Sequence, residues 1–206
     1  RAGNSRMLKE TEERAVILEA IRNRRAVRSY SADRPGEGVI RALLDAAIHA
    51  PTAMHLEPWA FVVIQNKALL KRYSDRAKTL LLEGHAELLK PFGPSPRDRM
   101  AMLADPGFNI FYDAGTLIVV CRTVSGPFAE ADCWLAAENL MLAAFAEGLG
   151  SCCIGFAVGV LNEPDVKQEL GIPEEGAAVA PIIVGVPLGP AWRASRKPPQ
   201  ILRWVT

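Results

Sequence analysis

Arg24-Arg25-Ala26-Val27-Arg28-Ser29-Tyr30 and Ala50-Pro51-Thr52-Ala53-Met54-His55-Leu56-Glu57-Pro58-Trp59 are the two stretches on which the fold turns. The first sets three arginines within five residues, directly after an amphipathic helical pattern. A guanidinium offers a fixed fork of donors and a charge that is not titrated away, so a tight arginine cluster suits a phosphate. The second is a proline-bounded polar loop between a helical pattern and an apolar run. Each has a plain structural reading when taken alone. The arginines could satisfy the end of a helix, and the loop could be only a turn entering a strand.

The surrounding chain alternates helical and extended patterns. Ile17, Ala20, Ile21 and Arg24 lie at helical spacing, with Glu10, Glu12 and Glu13 near the start and basic residues near the end, an order that complements the helix dipole. Ile40, Leu43, Leu44, Ala47 and Ile48 form a second apolar stripe. Ala60 to Ile64 is a continuous apolar run of strand length, expected to be buried on both faces. Lys67 to Leu89 reads as helix. Pro91-Phe92-Gly93-Pro94-Ser95-Pro96 breaks it and opens a polar excursion to about Asn109. Leu117 to Cys121 is a second buried strand.

Ala129 to Glu147 is the longest helical candidate and is apolar around most of its circumference, so burial is expected on most sides, part of it against a second subunit. Gly148 suits its C-terminal cap. Asn162-Glu163-Pro164 opens a short helix that Gly171 ends. Val179 to Val186 is a third strand. Beyond Pro187 the chain is rich in proline and arginine and has no periodicity. The alternation indicates an α/β or α+β fold.

Composition narrows the function. The 206 residues suit a single core, half of them are hydrophobic and 23% are charged, as in ordinary globular domains. A formal net charge of +1 argues against a general nucleic-acid binder. No apolar run is of membrane-spanning length and no signal-peptide pattern opens the chain. Arg1 to Arg6 precede Met7, which is the expected natural start; residues 1–14 read as an N-terminal extension and 15–206 as one domain. Cys121, Cys133, Cys152 and Cys153 do not have zinc-site spacing, and all four are expected to be reduced and structural, in the cytoplasm. No metal is expected. No glycine-rich dinucleotide fingerprint or P-loop follows a strand, and Gly148-Leu149-Gly150 follows a helix instead.

Across roughly Ala15 to Ile201 the chain resembles the nitroreductase family of FMN-dependent oxidoreductases. Four motifs carry the resemblance, in the family's order and spacing. Residues Arg24 to Tyr30 match an Arg-Arg-Ser-x-Arg-x-Phe pattern, with Ala26 in the serine place. Ala50 to Trp59 match Ala-Pro-Ser-x-x-Asn-x-Gln-Pro-Trp, with His55 and Glu57 replacing the two amides. Gly148-Leu149-Gly150-Ser151-Cys152-Cys153-Ile154-Gly155 follows the long helix as in the family. Gly185-Val186-Pro187 and Arg196 in a proline-rich tail match its ending.

The resemblance implies an α+β fold with a central, mostly antiparallel sheet flanked by helices and a long buried helix at a dimer interface. It implies a homodimer whose FMN site is shared between subunits. Arg24 and Arg196 would hold the FMN phosphate, Arg25 and Ala26 would line the ribityl chain and ring edge, and Arg28 would approach the pyrimidine side. Pro51, Thr52, Ala53 and His55 would come from the partner subunit. Ile154 and Gly155 would lie by the reactive nitrogen and offer a backbone N–H. The implied activity is ping-pong hydride transfer from NADH or NADPH through flavin to a nitroaromatic, a quinone or a similar small acceptor. No catalytic side chain is implied, with His55 and Glu57, titratable groups in place of neutral amides, as the candidates for an exception. A specialised branch, reductive dehalogenation or flavin breakdown, and a non-catalytic flavin-binding homodimer are the alternatives; in such a branch residues 91–109 would form the lid that selects it.

Overall fold

The computed structural model describes residues 16–84, 96–191 and 195–206. Residues 16–23 form helix α1, followed by α2 (Glu37–Ile48), a 3₁₀ turn (Ala53–His55) and strand β1 (Trp59–Ile64). Next come α3 (Lys67–Gly84), α4 (Pro96–Ala104), β2 (Thr116–Arg122) and α5 (Ala129–Ala146). The chain ends through β3 (Gly150–Cys153), a second 3₁₀ turn (Gly155–Ala157), α6 (Val158–Leu161), α7 (Pro164–Leu170) and β4 (Ala177–Gly185). The strands form one sheet in the order β1-β2-β4-β3, with every neighbouring pair antiparallel.

Helices cover both faces of this sheet, and alternate residues along a strand serve the two layers. Ile118 and Val120 of β2 pack with α2 (Ile40, Leu43, Ala47) and α5 (Cys133, Ala136, Ala137, Leu140, Ala144). Leu117, Val119 and Cys121 pack on the opposite side with α3 (Leu70, Tyr73, Ala77), Leu103, Phe111 and α6 (Val160, Leu161). A two-sided core explains why β2 and β4 read as unbroken apolar runs although the sheet is antiparallel. The architecture is the expected α+β fold with a central antiparallel sheet.

Three local expectations need correction. The run Ala60–Ile64 is not buried on both faces: β1 is a sheet edge, most of it is half-buried, and Val63 is exposed. Gly150–Cys153, where no strand was expected, is a strand, because pairing with Ile182–Gly185 captures the chain as soon as it leaves α5. The excursion ending near Asn109 contains α4, and Leu103, Ile110 and Phe111 at its end are fully buried. Residues 85–95, including most of the proline break, lie outside the described residues. Helix α5 presents one apolar face outward, with Trp134 and Leu135 each 46% exposed.

Gly148 and Gly171 lie past the ends of α5 and α7 with φ of 72° and 69°, the left-handed conformation that glycine adopts without strain. Helix α7 is tied to α3 by ion pairs. Arg76 bonds both carboxylate oxygens of Asp165 and pairs with Glu163, while Arg72 and the Tyr73 hydroxyl both donate to Glu169. Among the described residues no helix is long and apolar enough to cross a membrane.

Candidate functional site

The arginine-rich segment is laid across one end of the sheet. Val27 N–H donates to Ser151 O (3.0 Å), Ser31 N–H to Val186 O (2.9 Å) and Leu188 N–H to Ser29 O (2.9 Å). Isolated bridges pair Ala26 with Ser151 and Tyr30 with Pro187. The approach needs glycine at two points. A Cβ on Gly150 would meet the Val27 side chain at 2.8 Å, and one on Gly185 would meet the Tyr30 ring at 2.9 Å. The Tyr30 hydroxyl donates to Val27 O (2.7 Å), and burial pushes it above the ordinary tyrosine range.

Arg24 and Arg25 line a cavity of about 170 Å³ together with Val27, Phe145, Leu149 and Ser151. Among the described residues, the buried Nε atoms of both arginines have no hydrogen-bond partner. Arg24 Nε lies 3.4 Å from Glu138 Oε1, an ion-pair approach without hydrogen-bond geometry. Arg25 folds back, its Nη1 donating to the carbonyls of Arg22 and Arg24. A buried guanidinium N–H without an acceptor is costly. Two of them beside one cavity make a place for an anion.

Further along the segment, the Arg28 guanidinium lies over the Tyr112 ring, 5.9 Å from its centroid. Cys152 is close to both: burial pushes its thiol up, and the charges of Arg28 and Arg24 oppose that shift. Burial likewise raises Cys121 and Cys133 to about 12 and Cys153 to about 11, so all four unpaired thiols hold their protons.

The loop Pro51 to Pro58 projects from the top of α2. Its base is fixed, since Ala53 N–H points at the carboxylate of Asp132, a buried acid in the apolar helix α5. Met54, His55 and Glu57 have φ of 55°, 54° and 45°, left-handed values that are uncommon outside glycine. Pro51, Met54, His55, Leu56 and Glu57 are exposed, and Thr52 and Ala53 are half-buried. Among the described residues no hydrogen bond or ion pair joins this loop to Arg24–Arg28 in the same chain. Trp59 is half-buried against the α2–α5 layer.

Ile154 is buried and its N–H is committed to Pro181 O (2.8 Å), so the expected backbone donor at this point is Gly155 rather than Ile154. Gly155 is exposed, and a Cβ there would meet nothing within 4 Å. Arg196 is exposed on the tail. The structure therefore brings Arg24, Arg25, Ala26 and Arg28 together at the end of β3 and, among the described residues, gives the 51–55 loop no hydrogen bond or ion pair to them. Asp132 and Tyr112 were not anticipated. Asp132 shares α5 with Glu130 and Glu138, so its residue type did not single it out, and nothing in the sequence flagged Tyr112.

A family model described as the nitroreductase family matches residues 21–186. A protein of Methanothermobacter thermautotrophicus named putative NADH dehydrogenase/NAD(P)H nitroreductase is 28% identical over 176 residues, covering 83% of this chain and 77% of the relative. An iodotyrosine deiodinase of Thermotoga neapolitana is 24% identical over 139 residues, covering 66% of this chain and 72% of its own length. A nitroreductase of Bacteroides fragilis, solved with bound FMN, is similar at a TM-score of 0.75 and 25% identity, over 92% of this chain and 98% of that one.

Proposed function

This chain belongs to the nitroreductase family, and from that membership we propose that it is an FMN-dependent NAD(P)H oxidoreductase acting as a homodimer with shared sites. The observation that carries the reading is the pair of buried Nε atoms of Arg24 and Arg25 beside the cavity, which find no hydrogen-bond acceptor among the described residues. A phosphate supplies acceptors for both and a charge to match. Arg196 would join them from the tail, and Ala26 would line the ribityl chain.

The cavity is smaller than the roughly 300–1,000 Å³ of sites that enclose a whole ligand. The remaining wall comes from a second copy, whose exposed Pro51 and His55 and half-buried Thr52 and Ala53 stand on a loop with fixed base. Exposed apolar side chains support that assembly: Val16, Ile17, Leu18 and Ile21 on α1, Trp134 and Leu135 on α5, and Met54 and Leu56 on the loop.

FMN held by these residues would supply two-electron chemistry between NADH or NADPH and a small acceptor such as a quinone or nitroaromatic, with protons from water. The chain's residues bind and bias rather than react. Arg28 sets a fixed cation at the pyrimidine edge, where negative charge develops. Gly155 offers its N–H and leaves room for a flat ring, since no side chain of the described residues fills that space. Donor and acceptor use one face in turn, so the kinetics are ping-pong. The four protonated thiols suit the cytoplasm.

The experiment is to denature the purified protein, chromatograph its chromophore, and follow NADH and NADPH oxidation with added quinone. FMN and quinone-dependent oxidation are expected. FAD, or no flavin uptake by apoprotein, would overturn the reading. The deiodinase relative favours a second one, reductive dehalogenation; iodide release from iodotyrosine without quinone turnover would select it.

A further inference from the structure

Tyr112 and Asp113 are consecutive non-glycine residues in the left-handed region, with φ of 51° and 55°. Strain of this kind persists only where its surroundings impose it, and it gathers at functional sites. Here Asn109 imposes it. Its Nδ2 donates to Asp113 Oδ1 (2.8 Å), its Oδ1 accepts Phe111 N–H (2.9 Å), and its carbonyl accepts Tyr112 N–H (2.9 Å). The fully buried Ile110 and Phe111 root the turn in the core. The Tyr112 ring stays half-buried, edge-on to Phe108 at 5.6 Å and with Arg28 over its face.

We propose that Tyr112 is a positioning residue whose ring, held at the edge of the core by the strained turn, fixes the Arg28 guanidinium at the pyrimidine edge of FMN. This rests on the flavin role given to Arg28 above. The choice of partner matters physically. A carboxylate would hold the guanidinium but cancel its charge, whereas an aromatic face orients the cation and leaves the charge to act on the cofactor. Burial keeps the Tyr112 hydroxyl protonated, so the ring adds no negative charge of its own. The fixed cation then favours reduced, anionic FMN over the oxidised form.

The test is the ratio of dissociation constants for oxidised and dithionite-reduced FMN, titrated into apoprotein. Tyr112→Asn removes the ring and suits the left-handed backbone. It is expected to weaken reduced FMN relative to oxidised by about three- to tenfold, the scale of a cation–aromatic contact. Tyr112→Phe should keep the wild-type ratio, and Tyr112→Asn should change nothing further in an Arg28→Ala background. Tyr112→Leu replaces the Asn variant if that one does not fold. An unchanged ratio in the ring-less variant, or a full effect without Arg28, overturns the proposal. If Arg28→Ala itself leaves the ratio unchanged, the flavin role of Arg28 fails instead.

Discussion

Both carboxylate oxygens of Asp132 lie 3.2 Å from the backbone nitrogen of Ala53. A buried acid on α5 thus holds the base of the loop whose next residues carry three left-handed backbones. Such residues cost on the order of 1–3 kcal/mol each, and a hydrogen bond to a charged group contributes about 1.5–3 kcal/mol. Asp132→Ala is expected to cost stability on that scale and to speed amide exchange at residues 53–57, with β2 and β4 still protected. Asp132→Asn, which keeps one acceptor, should fall between. Exchange by mass spectrometry decides: no local change would mean the clamp does not hold the loop.

Arg24→Ala should weaken FMN binding by about ten- to a hundredfold or more while leaving riboflavin nearly untouched, because only FMN carries the phosphate. Lysine should rescue in part, keeping the charge but losing the fork. Glu138, which leans on Arg24 in the structure, competes with that phosphate. Glu138→Gln is therefore expected to tighten FMN binding by roughly two- to fivefold, the scale of a half-exposed ion pair. Equal affinity of wild type and Arg24→Ala for FMN would remove the phosphate assignment.

Two glycines near the site should respond in opposite ways. Gly155→Ala meets no atom within 4 Å among the described residues and should leave thermal stability within about 0.5 kcal/mol, yet lower flavin affinity if a ring lies against it. Gly150→Ala drives a methyl into Val27 and should lower stability and flavin affinity together. Melting curves with and without FMN separate the two. A Gly155→Ala protein that binds FMN like wild type would place the cofactor elsewhere.

Acid should loosen the α3–α7 contact. The Tyr73 hydroxyl and then Arg72 hold Glu169 below the ordinary glutamate value of 4.5, and Arg76 holds Asp165 below 3.8. A carboxylate depressed by folding stabilises the native state above its unfolded value, and that contribution fades as pH falls through the folded value. Wild-type melting temperature should therefore drop from about pH 4.5 downward, and more shallowly in Glu169→Gln and Asp165→Asn. Added salt should shrink the difference, because both pairs are exposed. Parallel curves for wild type and variants would remove these pairs from the acid transition.

The elements with strong periodicity were legible from the sequence: α2, α5, the start and stop of α7, and the apolar β2 and β4. Length defeated β3, whose Gly-Ser-Cys-Cys has no periodicity to read and is a strand only because β4 pairs with it. Edge position defeated β1, since an apolar run does not say how many neighbours a strand has. At the site, the arginine cluster and the glycines around it were visible as residue types at motif spacing. Asp132 and Tyr112 act through partners 79 and 84 positions away, Ala53 and Arg28, and such pairings exist only once the chain is folded.

The ladder that holds the arginine segment also governs when the site can come into being. Ser31 bonds Val186, Ser29 bonds Leu188, and Tyr30 pairs with Pro187. Contacts this distant in sequence close late, because a long loop must be ordered before it is rewarded. A ribosome extending the chain from its N-terminus therefore displays Arg24 and Arg25 long before their seat exists. Cofactor capture belongs to the finished chain, and a nascent or truncated product lacking β4 would carry the motif without the ability to hold a ligand.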